Sequence, residues 1–367
     1  YMYFPTGDTS HRGRGRGVVF AGETPSGPVS PSSRNISYVE MQSGGIAADF
    51  GNLTKDCGET KAVASSTRGV VQLSGDNPAT INTLEYVTIS STSNSTDFGD
   101  LFAAWWMRAL ASDQTRGIFA GGLYPGSTFK LDVEYITIAS LGNGLDFGDL
   151  SVARNAPSGL SSPTRMLVAG GQSGPATSDR VNMIEYITIS TLGNAADFGN
   201  VAQNRLYTKA VASRIRGYTI GGQTPSLANG TNQIEYVTIS SFGNGTDFGD
   251  LDNVSKNGMS FSSSTRGVTV LGQSPAPTSV NTMEYITLLT SGTGVDFGDT
   301  TGTRNGGNAC ASTTRGIIWG GIRGPDYSTW IDYVTTATTG NASDFGDLTV
   351  ARRFCGSSSD VHGGLAQ

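Results

Sequence analysis

Apolar and polar positions along this chain fall into short blocks that recur. The first kind is a compact apolar run ending in small residues: "VVFAGE", "VVQLSG", "GIFAGG", "MLVAGG", "YTIGGQ", "VTVLGQ" and "IIWGGI". The second alternates around a tyrosine, as in "IEYVTIS" from Ile234. Both are rich in Val, Ile, Thr and Tyr and are bounded by Gly, Asn, Asp and Ser, which is strand chemistry rather than helix chemistry. No stretch carries a convincing 3.6-residue apolar period. The densest exception, "LFAAWWMRAL" from Leu101, reads as a loop followed by a strand because of its place in the repeat.

The blocks repeat at a fixed spacing. Asp-Phe-Gly begins at Asp49, Asp97, Asp146, Asp197, Asp247, Asp296 and Asp344, at intervals of 48 to 51 residues. Upstream of each lies a tyrosine: Tyr38, Tyr86, Tyr135, Tyr186, Tyr236, Tyr285 and Tyr333. Five of these follow a glutamate, and Tyr333 follows Asp332. An arginine precedes most of the apolar runs, at Arg68, Arg116, Arg165, Arg216, Arg266 and Arg315.

Each unit resolves into four strands. In one full copy these are "SGLSSP", "MLVAGG", "MIEYITIS" and "ADFGNV", with Gly-Asn in the turn before the last. Four antiparallel strands repeated seven times predict an all-β, seven-bladed propeller. A lone blade cannot bury its two faces, whereas a closed ring buries both and removes the open ends. The apolar run suits a strand sandwiched on both faces, and its terminal glycines suit close backbone approach. The C-terminal "RRFCGSSSDVHGG" resembles the first-strand segments but has no second strand after it. Residues 14–367 are therefore expected to form the propeller, with 353–367 completing the first blade and 1–13 forming an N-terminal arm.

Composition narrows the chemistry. Of 367 residues, 51 are Gly and only 15% are charged, with a net charge of −6. No basic stripe is available to neutralise phosphates, which argues against nucleic acid. No apolar run approaches the ~20 residues of a spanning helix, so membrane insertion is not expected. The opening residues lack the apolar core of a secretory signal. Cys57, Cys310 and Cys355 have no disulfide or zinc spacing and read as free thiols packed as small hydrophobes. His11 and His362 are the two histidines, which leaves little for metal or acid–base chemistry. No cofactor and no metal site is expected.

The order of strands resembles the kelch repeat, with the Phe of Asp-Phe-Gly where kelch repeats usually carry Trp. The strings "IEYITIS", "DFGDLTVARR" and the ending "HGGLAQ" are similar to repeat proteins of tailed bacteriophages, notably those of marine cyanobacteria. That resemblance implies a non-enzymatic virion component, in or near tail or fibre. Its partners would be other virion subunits, further copies of itself or host surface carbohydrate. "STDFGDLF" from Ser95 also resembles the Asp-box of sialidases, where the Asp secures a turn by accepting backbone hydrogen bonds. Copper-radical oxidases carry similar propellers, but their ligand set is not found beside His11 and His362.

Seven copies of one Asp or one Glu-Tyr pair point to architecture rather than catalysis. The repeated arginines admit two readings: a ring that binds an anion, or pairing with a local Asp or carbonyl between blades. The turns joining strands 1–2 and 3–4 are nearly invariant, whereas the 2–3 and 4–1 loops vary and share the opposite face. Recognition is expected there, through Tyr124, Phe129, Arg323, Tyr327 and Trp330, with Phe102, Trp105 and Trp106. Aromatics that merely cover blade ends are the competing reading. The alternative functions are a secreted carbohydrate-active lyase or hydrolase, with Asp113, Asp179, Asp252 and Asp326 as acidic residues off the repeat, and a cellular adhesin.

Overall fold

The structure is a computed structural model and describes residues 15–25, 32–74, 81–124, 128–227 and 229–360. The proposed arm at 1–13, His11 and His362 lie outside the described residues. Seven four-stranded antiparallel sheets form a β-propeller. Blade 1 contains Arg16–Glu23, Ser32–Glu40 and Ala48–Cys57; blade 2 runs from Glu59 to Asp100 and blade 3 from Ala109 to Asp149. Blades 4 to 7 span Ser158–Asn200, Lys209–Ser255, Met259–Asp299 and Asn308–Asp347. The only helical element among the described residues is a 3-10 turn at Thr177–Asp179. The "LFAAWWMRAL" segment is a loop that ends in the first two residues of the innermost strand of blade 3, Ala109–Ser112.

Ring closure follows the sequence expectation. The C-terminal strand Gly356–Ser359 pairs antiparallel with Arg16–Glu23, placing Ser359 opposite Gly17 and Gly356 opposite Phe20. Blade 1 is thus built from both ends of the described chain.

The hydrophobic core is divided among the blade interfaces. Val18, Phe20 and Phe50 of blade 1 pack against Val71, Leu73 and Val87 of blade 2. Equivalent clusters join each successive pair, ending with Trp319 and Phe345 of blade 7 against Val19 and Met41 of blade 1. This explains why the second strand is apolar throughout: one side chain faces the preceding blade and the next faces the following one. The three cysteines are free and buried within this packing. Burial pushes the Cys57 thiol up to about 12 and the Cys355 thiol up to about 11, so both behave as apolar fillers.

Asp-Phe-Gly is a β-bulge in all seven blades. In blade 4, Ile184 pairs with Gly199 while Glu185 pairs with Asp197, so Phe198 is the extra residue. The same shift occurs in the other six. The bulge turns the Phe inward, edge-on to the blade's tyrosine, as in Tyr135–Phe147 at 5.8 Å and 88°.

Candidate functional site

The repeated polar residues have structural partners in the fold. Each repeated arginine lies over the tyrosine of its own blade, from 4.2 Å for Arg216 over Tyr236 to 5.0 Å for Arg165 over Tyr186. Its guanidinium then donates to a backbone carbonyl of the next blade. Arg68 donates to Ile138 at 3.0 Å, Arg116 to Ile189 at 2.6 Å and Arg165 to Ile239 at 2.9 Å. Arg16, Arg216 and Arg266 do the same, and Arg315 closes the circuit by donating to Met41 of blade 1 at 2.9 Å. Of the two readings of the arginine ring, the carbonyl pairing between blades is the one observed.

The Asp of Asp-Phe-Gly accepts the amide of its own Gly in five blades, as Asp146 does from Gly148 at 3.0 Å. That turn lies inside the outer-strand bulge, which fixes φ of the Gly above zero. The Gly-Asn of the 3–4 turn serves the preceding blade. Gly193 donates to the Phe147 carbonyl at 2.8 Å, and the Asn194 side-chain oxygen accepts the Asp149 amide at 3.0 Å.

The repeated acids are buried. Glu134, Glu185, Glu235 and Asp332 pair with Arg108, Arg154, Arg205 and Arg304, all at the entrance to the innermost strand of their own blade. Burial lowers each arginine's pKa, opposed by its carboxylate. Sequence reasoning missed these arginines. The signal was present: Arg154, Arg205, Arg304 and Arg352 each stand eight residues after the Asp of Asp-Phe-Gly. It is broken by Cys57, Trp105 and Ser255 at the same place, and Arg108 takes the role three residues later. Among the described residues Glu85 and Glu284 consequently have no arginine partner. Glu85 accepts from Thr54 and Ser95, and Glu284 from the amides of Asp252 and Asn253.

The variable-loop residues fall into two groups. On blade 3, Phe102 and Tyr124 are 55% and 40% exposed, whereas Trp105 is buried and Trp106 and Phe129 are half-buried. Trp105 underlies the surface: Tyr124 meets it edge-on at 5.2 Å and the Lys130 ammonium lies 4.8 Å from its ring. On blade 7, Arg323 stacks on Trp330 at 3.3 Å, and Arg353 lies over Tyr327 at 4.9 Å. Tyr327 also donates to Glu23 at 3.2 Å. Arg323, Asp326, Tyr327 and Trp330 line a groove of about 490 Å³. Asp113, Asp179, Asp252 and Asp326 belong to different blades and are not brought together; Asp113 caps a 1–2 turn by accepting the Arg116 amide at 2.7 Å. Among the described residues no group of His, Cys, Asp and Glu is placed to hold a metal ion.

The opposite, tight-turn face carries an apolar feature that the repeat concealed. Ile46, Leu141, Leu192, Phe242 and Leu289, from the loops between third and outer strands, are 47% to 75% exposed. Leu141, Leu192 and Phe242 each stand directly before the Gly-Asn of the 3–4 turn, but Thr339 takes that place in blade 7, and Ile46 and Leu289 lie elsewhere in their loops.

No family model matches the chain, and no curated protein does. Among solved structures it is similar to the one titled "Structure of YjhT", with a TM-score of 0.59 over 78% of this chain and 97% of that one. The identity is 9%, so the likeness shows the fold alone.

Proposed function

We propose that this propeller is a non-enzymatic binding module on a virion surface, part of a tail or fibre, which docks other virion subunits or host surface glycan through its variable-loop face. The virion assignment rests on the resemblance of the kelch-like repeats to those of tailed phages. The docking assignment is carried by one observation: the repeated Arg, Tyr, Glu and Asp are engaged in contacts within and between blades, while Phe102, Tyr124 and Arg323 are exposed on loops that differ from blade to blade. Trp105 and Trp330 stiffen these loops from beneath. A second reading, docking through the tight-turn face, is favoured by the exposed Ile46, Leu141, Leu192, Phe242 and Leu289.

Two measurements test the proposal. An antibody to the chain should label purified particles at a defined place; recovery only from cells or medium, never from particles, would remove the virion role. Tyr124→Ser with Arg323→Ser should abolish incorporation or glycan binding while Leu192→Ser with Phe242→Ser leaves it intact. The reverse pattern would move docking to the opposite face.

A further inference from the structure

The channel down the propeller axis is chemically divided. Its half toward the tight-turn face is lined by Ala, Val, Ser, Gly, Leu, Phe and Cys310, with no charged residue. The half that opens on the variable-loop face is a cavity of about 680 Å³ whose lining includes Lys61, Lys209 and Lys256. The chain has only five lysines, the others being Lys55 and Lys130, and its net charge is −6. Three of the five therefore sit in one cup of an acidic molecule.

Lys61 and Lys209 occupy the same place on two blades. Lys61 is registered with Gln72, and Lys209 with Ile220, four residues after the repeated arginine in each case. The other blades place Ala109, Ser158, Met259, Asn308 and Gly356 there. Blades 2 and 5 are three steps apart in a ring of seven, so the two lysines face one another across the mouth. Among the described residues neither side chain has a hydrogen-bond or ion-pair partner. Burial, with Lys61 as a second cause, lowers the Lys209 ammonium to about 8. The other ionisable groups lining the cup are Lys256, Glu59, Tyr207, Cys355 and the paired Arg108, with Arg180 acting on Tyr207 from outside the lining.

The rim is built for presenting side chains. Met107, Ala156, Tyr207, Asn257, Gly306 and Phe354, two residues before the lysine position, all have φ between 48° and 65°. Five of the six carry a side chain in a conformation that favours glycine. Rim residues are linked blade to blade, Ala156 donating to Met107 at 2.9 Å and Phe354 to Gly306 at 2.8 Å. A constant backbone thus holds a different side chain at nearly every step around the opening.

We propose that this mouth binds a small oxyanion, a carboxylate or a phosphate group, between Lys61 and Lys209, with Lys256 adding positive charge and Asn257, Asn308 and Tyr207 flanking it. Three lysines share this lining with a single carboxylate, Glu59, apart from the paired Arg108, so the cup keeps a surplus of positive charge that an anion relieves. The site is distinct from the loop docking proposed above, and its test does not depend on particles.

The test uses the full chain labelled with 13C-lysine, since five resonances are readily assigned. Inorganic phosphate and acetate are titrated separately at constant ionic strength, with chloride as the balance. The expected result is a saturable shift of Lys61 and Lys209 with an upward move of the Lys209 titration, while Lys55 and Lys130 stay still. A response to phosphate alone or acetate alone supports the site and identifies its anion. Lys61→Ser with Lys209→Ser should weaken binding about tenfold or more; serine already stands at this position in blade 4, and a thermal melt confirms folding. No saturable shift with either anion, or equal shifts at Lys55 and Lys130, would overturn the proposal.

Discussion

Glu134 and Glu284 hold the same place in their blades, yet their surroundings differ. Glu134 is ion-paired with Arg108 at 2.9 Å, both side chains fully buried. Glu134→Gln leaves that guanidinium without its counter-charge and should cost about 3–5 kcal/mol by urea denaturation. Glu284 has no arginine, and burial raises its pKa against the opposing pull of two amide donors. A raised carboxyl contributes stability below its ordinary range and loses it as pH rises through the raised value. Glu284→Gln should therefore cost less than about 1 kcal/mol near neutrality. Lys209 runs the other way. Its depressed value, about 8, means that the group favours folding above the ordinary lysine range and opposes it once pH falls below 8. Lys209→Ser should raise the melting temperature at pH 6, with the gain fading as pH climbs toward 10.

The glycines of Asp-Phe-Gly show how the elements are joined. Gly148 has φ of +134°, and a Cβ there would lie 2.5 Å from the carbonyl carbon of Gly193 in the next blade. Gly142, in a 3–4 turn, has φ of +155° but nothing within 4 Å. Gly148→Ala should thus cost at least about 2 kcal/mol, and Gly142→Ala about 1 kcal/mol, because only the first adds a backbone collision to the strained torsion. Equal costs in a denaturant series would show that the inter-blade approach does not matter. The glycine pairs that end the second strands act alike: Gly122 and Gly171 donate to the carbonyls of Arg154 and Arg205 in the following blade at 2.9 and 2.8 Å.

At the scale of the molecule, stability rests on a circuit. Seven cores, seven arginine–carbonyl links and the outer-strand turns all pass from one blade to the next, and Gly356–Ser359 closes the round. Ending the chain at Arg353 removes that strand and leaves Arg16–Glu23 as an open edge. The melting temperature should fall by about 10 °C or more, with aggregation on heating. An unchanged, single cooperative melt would mean that closure contributes little.

The period, the strand order, the seven blades and the clasp were legible in the sequence, because each blade repeats the same short-range pattern of alternation, bulge and turn. Identity of residue type also marked the Asp and Glu-Tyr positions as scaffold. Carbonyl pairing between blades was one of two readings of the repeated arginines, but the particular acceptors were not legible, since most lie some seventy residues away and carry no side-chain signature. The buried Arg108, Arg154, Arg205 and Arg304 were obscured by the blades that lack them. Lys61 and Lys209 sit in two copies of one segment, "TKAVAS", which by itself marks no site. Only closing the ring sets them across one channel mouth, because the distance between two blades is fixed by the number of blades and not by anything written locally in either.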